Sequence, residues 1–434
     1  MSMPVPAGPK GTRDFFPEDI AFQGFIFSSW EKTCACYGFE PYEGPMFEHL
    51  ELYTQKSGVE IEEQLYVFKD KKGRDLALRP EMTPTLARMV ASRGTNLKLP
   101  LRWYSMPRLF RYEKMQKGRL REFFQLNLDI IGISEVSADA ELIAAAIDMM
   151  RSLGFTAGDF KVRISSRTLL EELFIAAGLS KEGCGLLYAL LDKKAKLPPE
   201  KFNHELTKTV SDKNVLGKIA KIFESQTLED LQRLGGNLPA LTVLKELFET
   251  LGLYGFSDYV TFDIGIVRGL AYYTGIVFEV FDTAKSMRAV AGGGRYDRLI
   301  EQYGGPSVPA TGFAAGDVVL AELMREKGIS PARTGRSSCY ITALDGTKPA
   351  DIIAVAQELR AAGISCEFSL KNLNVSKQMK NANAARSPYA LFVGGDEARQ
   401  GLVKIKNMTT GDETMVPRYE IVNNMTRLFS LNLT

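Results

Sequence analysis

The 434-residue chain has few histidines, no paired cysteines, no long apolar runs and little net charge. Its two histidines, His49 and His204, lie far apart in unremarkable surroundings. That excludes a histidine-rich metal site and argues against a Ser-His-Asp mechanism. Five cysteines (Cys34, Cys36, Cys184, Cys339, Cys366) form no CxxC pair and no even framework. They read as reduced thiols in a reducing compartment. No run of 18 apolar residues occurs, so no membrane-spanning helix is expected. The leading MSMPVPAGPKG lacks the apolar stretch of a secretory signal, which leaves a cytoplasmic location as the expectation. The net charge is +2, so any surface for nucleic acid must be a local one.

What is present is an ordinary globular composition, 45% hydrophobic and 24% charged. The length suits two to four domains. Helical spacing of Ile20, Phe22, Phe25, Ile26, Phe27 and Trp30 predicts a helix from Glu18 to about Tyr37, ended by Gly38. Residues 64–81 predict two strands around a Lys-Lys-Gly-Arg turn. Residues 83–91 and 137–153 predict helices, and 161–165 a strand. Leu101 to Ile133 predicts two long strands joined by a basic loop. Between 166 and 255 strand-forming runs vanish, which predicts a helical insertion. Strand character returns at 259–281. The last 98 residues, 337–434, alternate as β-α-β-α-β, a small α/β domain. The expected division is therefore 1–165, 166–255, 256–330 and 337–434.

The densest signal is RWYSMPRLFRYEKMQKGRLREFFQLNLDIIG, Arg102 to Gly132. Residues 100–125 hold seven basic and two acidic side chains, a net +5 suited to neutralising phosphates. Strand side chains alternate faces. On that basis Arg111 and Glu113 share a face, as do Phe123, Gln125, Asn127 and Asp129, with Phe124, Leu126, Leu128 and Ile130 opposite. A polar face of this kind either carries chemistry or simply meets solvent, and spacing alone leaves both open.

The segment FRYE, a basic loop, then REFFQ resembles motif 2 of the class II aminoacyl-tRNA synthetases. The following Gln-x-x-x-Asp resembles their histidine-specific branch. GTRDFFPED, YGFEPYEGPMFE, LRPEMTPTLAR, IVRGLAYYTGIVFE, GGGRYDRL and LNVSKQMKNANAARSPYALFVGGDE resemble further segments of histidine–tRNA ligases, in the expected order over nearly the whole chain. The resemblance implies an α+β fold: an antiparallel sheet flanked by helices, the helical insertion, and a C-terminal α/β anticodon-binding domain. It implies a homodimer with Pro45 at the interface, no membrane, and tRNA(His), L-histidine and ATP as ligands, with Mg²⁺ held mainly by ATP.

By the resemblance, Arg111 and Arg268 are catalytic and reach the α-phosphate from opposite sides. Arg111, Glu113, Arg119, Arg121 and Phe123 bind ATP, with Phe123 stacked on adenine. Glu81, Thr83 and Gln125 meet the amino acid on its ammonium side, and Met82 is counted with them among the histidine-binding residues. Asp129, assisted by Tyr272 and Tyr273, takes the imidazole. Histidine's carboxylate is already a nucleophile at neutral pH, so the chemistry needs positive charge at the phosphate more than a protein base.

Plainer alternatives stand beside these roles. Arg79-Pro80-Glu81 could be a helix-start device, Arg268 an ion-pair partner and Phe123 a core residue. The glycines 292–294 are no P-loop, because no GK[ST] follows. They suggest close backbone packing, and Arg295 after them either supports phosphate or pairs structurally. Two departures are plain. GFAAGDVVL puts Val319 where motif 3 usually has a phosphate-binding arginine, leaving Arg119, Arg121 or Arg295 for that work. Ala271 stands where many relatives carry Asp. A plastid-like bacterial subgroup resembles this chain in both. The rival reading is a non-catalytic, synthetase-like regulatory subunit that binds histidine.

Overall fold

The computed structural model describes residues 6–54, 62–192, 194, 197–267, 272–284, 287–331 and 336–430. It falls into two compact units, 1–331 and 332–434.

The first helix, Pro17–Cys36, opens with a proline and two acidic residues in its first turn, the arrangement helix N-termini favour. Gly38, at φ +70°, turns the chain out of it, as glycine readily does. The chain then enters a nine-stranded sheet. Its strands are β1 (Glu40–Pro41), β5 (Leu101–Ser105), β6 (Arg108–Phe110), β7 (Glu122–Ile131), β8 (Phe160–Ser166), β9 (Val260–Phe262), β10 (Ile276–Asp282), β11 (Ala291–Arg295) and β12 (Ala310–Gly316). Their order is β1-β5-β7-β12-β11-β10-β8-β9, with β6 on β7. From β5 to β8 the pairing is antiparallel, while β1 and β9 add parallel edges. A small antiparallel sheet holds β2 (Phe47–His49), β4 (Asp75–Leu78) and β3 (Val67–Lys69).

The alternation in β7 decides what each face does. Leu126, Leu128 and Ile130 are fully buried in the main core with the helix Val136–Ser152. That helix buries twelve residues, five of them alanines, and small side chains let it lie close on the sheet. Each fully buried leucine or isoleucine there contributes about 1.5–3 kcal/mol. The other face of β7 carries Gln125, Asn127 and Asp129.

The expectation of two long strands over 101–133 needs correction. The first is split into β5 and β6 at Met106–Pro107 and ends at Phe110. Pro107 has no N–H for the ladder, and its carbonyl accepts from Gln125 N at 3.2 Å instead. Arg111 and Glu113 therefore lie past the strand, so strand alternation does not place them on one face.

Among the described residues between β8 and the turn before β9 all regular structure is helical, from Arg167–Ala177 to Pro239–Leu253. Their apolar faces join the same continuous core as the sheet.

The second unit has a five-stranded sheet of its own, ordered β14-β13-β15-β16-β17. These are Cys366–Phe368, Cys339–Ala343, Tyr389–Val393, Leu402–Asn407 and Glu413–Pro417. The first three strands are parallel and the last two antiparallel. Helices Pro349–Ala361 and Val375–Ala384 supply the crossovers. Strand β17 and the final helix Ile421–Ser430 extend the expected alternation.

Candidate active site

The polar face of β7 is open because its neighbour has almost no side chains. Asp129 is in register with Gly312 on β12, and Gly312 with Gly294 on β11. A Cβ on Gly312 would lie 2.0 Å from Asp129 Oδ1, and one on Gly293 2.1 Å from the Gly312 carbonyl oxygen. No other residue fits this close approach.

A cavity over this floor is lined by Glu81, Thr83, Arg111, Gln125, Asp129, Tyr272 and Tyr273 from the residues singled out above. Asn127, Tyr296, Gly312, Phe313 and Ala314 complete it. Asp129 is buried, and the Tyr296 hydroxyl donates to its Oδ1. Burial pushes the Asp129 carboxyl up to about 7, against a weaker lowering by that hydrogen bond. Glu81, also buried, accepts from the Tyr272 hydroxyl at 2.9 Å. The Tyr272 and Tyr296 rings meet edge to face at 6.0 Å. The two carboxylates and their tyrosines thus form one polar cluster, with all four groups lining the cavity.

Thr83 opens the helix Thr83–Arg93. Glu81 turns to Tyr272 rather than capping that helix, whose first turn has no side-chain cap. Arg79 is buried and braces the preceding turn. It pairs with Glu43 at 2.6 Å and donates to the carbonyls of Gly44 and Arg108. Met82 is fully buried beside Arg79 and is not among the cavity-lining residues.

Arg111 donates from Nε to the Pro80 carbonyl at 2.8 Å, and its guanidinium lies 5.4 Å from the centre of the Phe123 ring. Phe123 is only partly buried, which sets it apart from a core residue. Glu113 is paired with Arg119. Arg121 lies over the Tyr112 ring at 4.0 Å and donates to the Glu113 carbonyl. These last three sit together beyond the cavity lining. Pro45 is exposed beside Met46 and Phe47, and Phe47 meets Phe68 at 6.0 Å.

Arg268 and Ala271 lie outside the described residues. Arg167 donates to the carbonyls of Val267 and Tyr273, on either side of 268–271.

Arg295 resolves to its structural alternative. It is buried, bonded to Asp139 and to the carbonyls of Ile133 and Glu135, and paired with Asp297. Its donors are committed, so it does not serve a phosphate. Val319 borders a separate cleft with Lys117, Gly118, Met287, Arg288 and Glu322. Among the described residues no cluster of three or more His, Cys, Asp or Glu is placed to hold a metal.

Sequence reasoning passed over Tyr296 and Gly312. Their signals were the tyrosine closing GGGRY and the glycine opening GFAAG.

The family model for histidyl-tRNA synthetase matches residues 11–317, and that for an anticodon binding domain matches 338–428. The chloroplastic/mitochondrial histidine–tRNA ligase of Arabidopsis thaliana is 38% identical over 94% of this chain and 84% of its own length. The histidine–tRNA ligase of Opitutus terrae is 38% identical over 97% of this chain and 98% of its own. The histidyl-tRNA synthetase structure from Nostoc sp. PCC 7120 has a TM-score of 0.81 at 21% identity, covering 98% of this chain and 99% of that one. An ATP phosphoribosyltransferase regulatory subunit/histidyl-tRNA synthetase from Bacillus halodurans has a TM-score of 0.74 at 26% identity, over 86% of this chain and 96% of its own. By the match across both of its units, the chain belongs to the histidyl-tRNA synthetase family.

Proposed function

We propose that the chain activates L-histidine with ATP and then transfers the histidyl group to the 3′ end of tRNA(His). One observation carries the site assignment: the buried Asp129–Tyr296 and Glu81–Tyr272 pairs line the same cavity as Arg111.

A bound histidine donates an imidazole N–H to Asp129. Its ammonium group meets Glu81, Thr83 and Gln125. A site built to satisfy a ring N–H rejects side chains that lack one by factors on the order of 10⁴, because its own buried acceptor is then left unpaired. The histidine carboxylate attacks the α-phosphorus of ATP and pyrophosphate leaves. A tRNA 3′-terminal hydroxyl then attacks the histidyl carbonyl carbon and AMP leaves. Arg111 offsets charge that develops on the α-phosphate. Arg268 is assigned the opposite side by family resemblance. Phe123, already paired with one guanidinium, offers adenine a stacking face, and Glu113, Arg119 and Arg121 border the nucleotide.

Mg²⁺ belongs to this scheme as part of the substrate, carried on the ATP phosphates. The half-exposed Met46, Phe47 and Val67 around Pro45 suit a homodimer contact. The second unit, with 11 basic and 9 acidic side chains over 337–434, would meet tRNA through local clusters. No helix of the described residues is long and apolar enough to cross a membrane.

Histidine-dependent exchange of labelled pyrophosphate into ATP tests the proposal. Exchange that falls at least a hundredfold in Arg111→Ala supports it. No exchange in the unsubstituted protein overturns it. Histidine binding without exchange would favour the regulatory-subunit reading, which the Bacillus halodurans likeness brings into view.

A further inference from the structure

The Asp129–Tyr296 pair leaves one polar atom behind the pocket unexplained. Tyr42 follows β1, donates its amide to the Tyr104 carbonyl at 2.8 Å, and sets its ring 5.7 Å from Trp103. Trp103 is in register with Asp129 on β7, so Tyr42 is brought to the imidazole end of the site. Its hydroxyl is buried and has no hydrogen-bond partner among the described residues.

A buried polar group left unpaired costs about 1–3 kcal/mol, and such an exception calls for a role. Among the charged groups, Asp129 on β7 acts on this phenol most strongly, ahead of its chain neighbour Glu43 and of Arg79, which follows β4. Arg79 and Glu43 are already paired to each other. Tyr42 in turn acts on Tyr296, whose ring packs on Tyr272. Burial holds the Tyr42 phenol well above its usual range, so it remains a proton donor at working pH.

We propose that Tyr42 is a specificity-determining positioning residue whose hydroxyl, unpaired in the empty site, donates to Asp129 once a bound imidazole fixes that carboxylate in its charged form. The proposal rests on Asp129 being the imidazole acceptor. It makes the carboxylate respond to histidine: one donor, Tyr296, holds it when the site is empty, and a second engages when the ring arrives. Part of the favourable interaction is therefore released only by a side chain that carries a ring N–H.

Tyr42→Phe removes the oxygen and keeps the ring. A hydrogen bond to a charged group contributes about 1.5–3 kcal/mol, roughly ten- to a hundredfold in affinity. The histidine KM should rise by at least tenfold and the ATP KM by less than twofold. Because only the bound carboxylate has lost a donor, the acid-side climb of the histidine KM should also level off at a higher pH, while its onset stays at that of the empty site. The empty variant should melt no lower than the unsubstituted protein, since the hydroxyl has no partner there. A structural residue would not combine unchanged melting with weaker histidine use.

Asp129→Asn is measured in parallel. If it raises the histidine KM while Tyr42→Phe leaves both the KM and its pH profile unchanged, the role of Tyr42 is overturned. If Asp129→Asn has no effect on the histidine KM, the failure lies in the imidazole assignment itself, and the Tyr42 role falls with it.

Discussion

Replacing Asp129 by asparagine should stabilise the empty protein while disabling its use of histidine. The side chain is isosteric, still accepts from Tyr296, and fits against Gly312. What it removes is a buried carboxyl pushed up from 3.8 to about 7. Between those values the native state binds more protons than the unfolded chain, so stability falls as pH rises through that window. The penalty is absent below the unfolded pKa and complete above the folded one. A shift of about 3 units corresponds to about 4 kcal/mol at full ionisation, an upper figure that water entering the site reduces. Between pH 5 and pH 8 the advantage of Asp129→Asn should grow by about 2.7 kcal/mol. At about 2.1 cal/mol/K per residue, a 331-residue unit gains roughly 4 °C in Tm from that difference. Differential scanning calorimetry of both proteins at pH 5 and pH 8 reads this directly. Equal Tm differences at the two pH values would refute the account of a desolvated carboxyl at 129.

Two further outcomes follow from the packing. Gly312→Ala places a methyl against Asp129 Oδ1 and the Leu128 carbonyl, so it should lower stability by about 1–3 kcal/mol and raise the histidine KM far more than the ATP KM. Steady-state kinetics in each substrate check this. Arg295→Ala strands the buried Asp139 carboxylate, held until then by the guanidinium, and should cost about 3–5 kcal/mol in denaturant unfolding. The ATP KM of the protein that remains folded should be unchanged, whereas a large rise would restore a phosphate role to Arg295.

Local patterning made much of this legible. The alternation in FFQLNLDII separates a core face from a polar face, and β7 realises both. The helices flanking it and the α/β order of the last 98 residues are likewise visible as periodicities. What depended on partners far along the chain was not visible. Arg295 is committed by Asp139, 156 positions earlier, so its two readings could not be separated in one dimension. Tyr296 became relevant only when β11 and β12 brought it over Asp129. The break at Pro107 was readable as a missing donor, yet a long apolar-basic run masked it. Strand β17 was hidden because GDETMVP has three exposed residues before its single buried valine.

The most direct test of the central claim is transfer of labelled histidine to tRNA(His) by the purified protein, with ATP and Mg²⁺ supplied. The account predicts an alkali-labile histidyl ester on the tRNA 3′ end, formed with histidine and with none of the other standard amino acids, and lost in Arg111→Ala. Histidine binding with neither adenylate nor charged tRNA would contradict it.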